Sequence, residues 1–91
     1  MRETEAAPAS GWSVQVGSFA SRENAERLTG ELRRLGYRSF VTEGKGGARK
    51  LYRVRIGPEA DRDAVEALAE RVRADERLGG DIRKGSIVPH P

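Results

Sequence analysis

Gln15, Arg53 and Arg55 stand out chemically because they lie in two strand-like phrases that nearly repeat. "WSVQVGSFASRENAERL" (12–28) and "YRVRIGPEADRDAVEAL" (52–68) align without a gap at an offset of 40 residues. In the first, Trp12, Val14 and Val16 alternate with Ser13, Gln15 and Gly17. Period-two alternation of this kind marks a half-buried strand. With Val14, Val16, Val54 and Ile56 turned to a core, Gln15, Leu51, Arg53 and Arg55 must turn to the opposite face. An amide, two guanidiniums and an isolated leucine then form a shallow platform offering hydrogen bonds and apolar contact together. Such a surface suits an extended polymer, although each residue taken singly also reads as the wet side of a half-solvated sheet.

Catalytic chemistry finds no footing elsewhere. His90, the only histidine, sits between Pro89 and Pro91, where no general base or metal site can be built around it. The chain has no cysteine, so thiol chemistry and disulfides are excluded and the redox compartment stays open. "EGKGGARK" lacks the spacing of a phosphate-cradling loop and reads as a hairpin turn. Asp61, Asp63 and Glu66 are accounted for by helix capping and the helix dipole. A carboxylate pair for glycoside hydrolysis would need a cleft, and nothing marks one. The reading is a binder, not an enzyme, with no cofactor and no metal. Seventeen basic residues against fourteen acidic ones give a net charge of +3, a mild preference for anionic partners without a strongly basic tract.

The elements that position the platform follow from periodicity. Residues 1–10, "MRETEAAPAS", read as the tail of a linker. After the first strand, Ser21 is a good N-cap for a helix whose stripe is Ala25, Leu28, Leu32 and Leu35, supported by a Glu23–Arg27 pair and ended by Gly36. "YRSFVTE" (37–43) is a second strand, and "LYRVRIGP" (51–58) the third. Asp61 caps a second helix with the stripe Val65, Leu68 and Val72; Asp75 stands where the first helix has Leu35, so this helix is expected to fray or bend sooner. "DIRKGSIV" (81–88) is a short last strand, and 89–91 a tail. The order β-α-β, β-α-β gives an α+β fold, ferredoxin-like: four antiparallel strands with both helices on one face. No apolar run approaches the roughly 20 residues of a membrane span and no signal-peptide core follows Met1, so an export signal would lie on a longer parent chain.

"WSVQVGSFASRENAERL" with "LRRLGY" and "YRVRIGP" resembles the SPOR domain (sporulation-related repeat), a bacterial peptidoglycan-binding module, over roughly residues 11–88. The resemblance implies the same βαββαβ fold and, as ligand, glycan strands stripped of their stem peptides. It further implies a monomeric module at the end of a parent protein in the periplasm or cell wall, at the division septum. Position by position it implies glycan contacts from Gln15, Ser18, Leu51, Arg53 and Ile82. Arg55 is an auxiliary by its phase and charge, not by the resemblance, and it also reads as part of a solvated face. Some relatives carry an aromatic ring where this chain has Leu51. Two other readings share the architecture. An RNA-recognition module would need rings on the open face, but Trp12 and Tyr52 fall on the helix side by phase, so no nucleic acid is expected. A regulatory or dimerisation domain rests on fold analogy alone.

Overall fold

The computed structural model describes residues 11–46 and 49–89. The expected linker 1–10, the tip of the hairpin turn and His90 lie outside the described residues. Within them the alternating phrases become strands β1 (Trp12–Phe19), β2 (Ser39–Gly46), β3 (Arg49–Glu59) and β4 (Ser86–Pro89). These form one antiparallel sheet in the order β2-β3-β1-β4.

Helices α1 (Arg22–Arg34) and α2 (Arg62–Ala74) have 13 residues each. Ser21 and Asp61 cap them through side-chain oxygens that accept from the amides of Asn24 (3.3 Å) and Ala64 (2.8 Å). Their ion pairs also repeat at 40-residue spacing, Arg22–Glu26 at 3.2 Å and Arg62–Glu66 at 3.0 Å. They begin one residue before the expected Glu23–Arg27 pair. Gly36, at φ 98°, closes α1: its amide donates to Arg33 O and that of Tyr37 to Leu32 O, both at 3.0 Å. A left-handed residue there satisfies the last carbonyls at no side-chain cost.

Both helices pack on the same face of the sheet. Ala25 and Leu32 from α1, and Val65, Ala69 and Val72 from α2, bury against Val14, Val16, Val54 and Ile56. Thr29 is buried as well, its hydroxyl donating to Ala25 O at 2.9 Å.

Two expectations are corrected. First, α2 does not end sooner than α1. Asp75 occupies its C-cap, accepts from Tyr37 Oη at 2.6 Å and is gripped by Arg77 through Nε (2.9 Å) and Nη2 (2.7 Å). The carboxylate does with hydrogen bonds what Leu35 does with apolar contact. Second, residues 81–88 are not one strand. Gly80–Arg83 make a single helical turn, α3, and β4 starts only at Ser86, running on through Pro89.

Candidate glycan-binding platform

No described element covers the sheet face opposite the helices, and the register arranges its side chains in rows. Phe40, Arg55, Gln15 and Ser86 lie side by side across all four strands. Beside this row run Thr42, Arg53 and Ser18, and beyond it Gly44 and Leu51. Leu51, Phe40 and Val88 are half-buried yet stand apart from the hydrophobic core.

Ser18 reaches the platform through a β-bulge. Gln15 faces Arg55, but the next paired residue, Gly17, faces Val54, so Val16 is an extra residue in β1. A bulge shifts strand phase by one. Strict alternation would turn Gly17 outward and Ser18 to the core. Instead Gly17 faces inward, where a Cβ would meet Phe19 at 3.0 Å and Leu28 at 3.4 Å, and Ser18 is exposed beside Arg53. Outward placement of Gly17 is thereby corrected, and the bulge brings Ser18 together with Gln15, Leu51 and Arg53.

Arg55 and Arg53 turn to opposite sides of β3. Arg55 Nε donates to Gln15 Oε1 at 3.2 Å, toward β1. Arg53 leans the other way, over β2, where its guanidinium occupies the space that a side chain on Gly44 would fill. Burial, and secondarily the neighbouring Arg53 charge, pushes the Arg55 guanidinium below its ordinary pKa. It stays charged near neutrality. The rows hold no aspartate or glutamate among the described residues, so neither guanidinium meets a described carboxylate on this face. An anion laid there would meet a planar donor fork with its charge uncompensated.

Ile82 is placed elsewhere. It rides on α3, half-buried against the core, not on a strand. With Ser18, Phe19 and Leu28 it rims an open groove of about 560 Å³ at the edge of β1, past Gln15 where the pairing with β4 stops. Ser18 borders both the groove and the platform, and Ile82 borders the groove alone. Phe40, Thr42 and Ser86 are platform residues absent from the sequence-based set. The phase of "SFVT" carried the signal for the first two, since Ser39 and Val41 alternate with them.

Trp12, Phe19, Tyr37 and Tyr52 all pack on the helix side, with the Arg62 guanidinium 4.9 Å from the Trp12 ring. The two central strands thus offer no ring to the open face.

With this geometry in view, comparison with known proteins decides the family. A SPOR domain profile matches residues 8–82. The chain is a member of the SPOR domain family. The crystal structure of the RlpA SPOR domain from Pseudomonas aeruginosa superimposes with a TM-score of 0.67 at 27% identity, covering 89% of this chain and 100% of that one. The cell division protein DedD of Escherichia coli is 27% identical over 81 residues, 88% of this chain. This SPOR domain spans only 37% of DedD's length. The solution structure of the peptidoglycan binding domain of the Bacillus subtilis cell wall lytic enzyme CwlC shares the fold, with a TM-score of 0.62 at 23% identity over 94% of each chain.

Proposed function

We infer that this SPOR domain is a non-catalytic module that binds peptidoglycan, and within it glycan strands that have lost their stem peptides. The observation that carries the reading is the sheet face itself: Gln15, Ser18, Leu51, Arg53 and Arg55 stand on one surface that no described element covers, without an acidic side chain among the described residues. Stripped glycan presents hydroxyls, acetamido groups and free lactyl carboxylates along an extended strand. Gln15 and Ser18 match the first two. Arg53 suits the carboxylate, the group that a stem peptide would mask. Leu51 gives apolar contact to a sugar face.

No described helix is long and apolar enough to cross a membrane. Residues 11–89 form the binding unit, since β4 keeps Pro89 paired with Trp12, and act as a monomer, with 1–10 as the end of a linker. The parent protein is carried to septal or remodelled wall in the bacterial cell envelope.

Co-sedimentation with purified sacculi, before and after amidase treatment, tests this. Tighter binding to treated sacculi is expected; equal binding to both removes the preference for stripped strands. Indifference to sacculi with salt-sensitive binding to single-stranded RNA would favour an RNA-binding module instead.

A further inference from the structure

Gly44 is an unexpected residue inside a paired stretch of β2. Glycine weakens a strand interior, and it stands there chiefly where another group comes close to the backbone. Its φ is not among the positive ones, so chain conformation does not demand it. The group that comes close is Arg53: a Cβ at position 44 would collide with Nη1 of that side chain and lie 3.0 Å from its Cζ.

The guanidinium therefore lies across β2, in the row next to that of its own register partner Thr42. No described carboxylate neutralises it there. Glu43, the residue before Gly44, turns to the helix side with its register partner Tyr52 and meets Lys50 at 3.7 Å. Arg55 differs, since its Nε is committed to Gln15. Thr42, two residues before Gly44 on the same face, adds a hydroxyl to the Arg53 fork. Two parallel guanidinium donors take the two oxygens of a carboxylate, and a neighbouring hydroxyl can donate to either.

We propose that Gly44 is a positioning residue, its missing side chain seating the Arg53 guanidinium beside Thr42 as the receptor for a lactyl carboxylate. This deepens the glycan-binding reading above and rests on it. It assigns recognition of the muramic acid anion to Arg53 and leaves Arg55 and Gln15 to the neutral groups of the strand. The colliding atom is the far end of a flexible side chain, so a methyl group at position 44 displaces the guanidinium and leaves the sheet in place.

The test compares two soluble oligosaccharides of equal length. One alternates N-acetylglucosamine with peptide-free N-acetylmuramic acid; the other is N-acetylglucosamine alone and has no carboxylate. Affinities are measured for the unmodified domain, Gly44→Ala, Arg53→Ala and the double variant. The unmodified domain should prefer the muramic acid oligosaccharide about tenfold. Gly44→Ala should cut that preference to about twofold or less, and in the Arg53→Ala background it should have no further effect. A glycine that serves only the strand would weaken both ligands alike, with or without Arg53, and that result overturns the proposal. So does a full preference retained in Gly44→Ala. Equal binding of the two ligands by the unmodified domain removes the carboxylate receptor but leaves the glycan reading standing, whereas binding of neither removes both. A second measurement needs no variant: the Arg53 Nε–H resonance should move on adding the muramic acid oligosaccharide and not the other. An unresponsive resonance, or a Gly44→Ala chain that fails to fold, would also overturn the proposal.

Discussion

The two halves of the molecule start alike and end differently, and the difference follows the faces of the sheet. Helix-side positions repeat: Val14 and Val54, Val16 and Ile56, Leu32 and Val72 do the same packing in each half, and both helices have 13 residues behind an oxygen cap. Open-face positions diverge, with Gln15 in one half and Arg55 in the other, joined to each other at 3.2 Å. A core contact asks only for apolar volume, so a duplicated pattern satisfies it twice. A binding row needs different chemistry at each strand.

The largest effect expected from probing this contrast is in the core. Leu32→Ala removes a fully buried side chain and should cost about 2–5 kcal/mol in urea unfolding. Glycan affinity of the fraction that stays folded should remain unchanged. If affinity fell while the fold held, the two faces would not be separable.

Next comes the Gln15–Arg55 contact. Gln15→Ala should weaken binding to amidase-treated sacculi about tenfold, with a stability change below about 0.5 kcal/mol. Arg55→Ala should weaken binding less, in a manner screened by salt. Because Gln15 orients Arg55, the double variant should lose less than the sum of the two. Full additivity would mean that the two halves act independently on the ligand.

The smallest effect expected is at the helix ends, where Leu35 in one half faces Asp75 in the other. Hydrogen bonds from Arg77, then from Tyr37, hold the Asp75 carboxyl well below the usual carboxylate range. A depressed acid contributes stability above its unfolded value of about 4 and loses it as pH falls. Thermal melts of Asp75→Asn should therefore show a flatter decline below pH about 4 than the unmodified domain. Burial, then the Asp75 contact, raises the Tyr37 pKa, so Tyr37→Phe should flatten the alkaline limb above pH about 10. Parallel acid limbs in Asp75→Asn and the unmodified domain would show that the clamp adds nothing.

Much of this was legible in the sequence. The span of β1, both N-caps and the C′ glycine come from local chemistry, and the core stripes from periodicity, so these needed no knowledge of neighbours. What escaped depends on partners distant in the chain. The bulge at Val16 exists only in register with β3, so alternation misplaced Gly17 and gave no reason for Ser18. Asp75 looked like a missing leucine because Tyr37, its partner, lies 38 residues away. Ile82 was assigned to a strand because a four-residue helical turn carries no periodic signal. Strand phase alone put Gln15, Leu51, Arg53 and Arg55 on one face, where the register has them, because alternation on β3 is unbroken across these positions.

Gly44 has a consequence for how this surface can change over generations. It is not among the glycines with positive φ, so the backbone there accepts any L-residue. Only the Arg53 guanidinium claims its empty side-chain space. A library screened for folding alone should therefore admit side chains at position 44 freely, whereas one screened for ligand capture should keep glycine there, so that Arg53 retains its place. The bare backbone at position 44 is thus the price of the guanidinium's pose, and capture should hold the two residues fixed together.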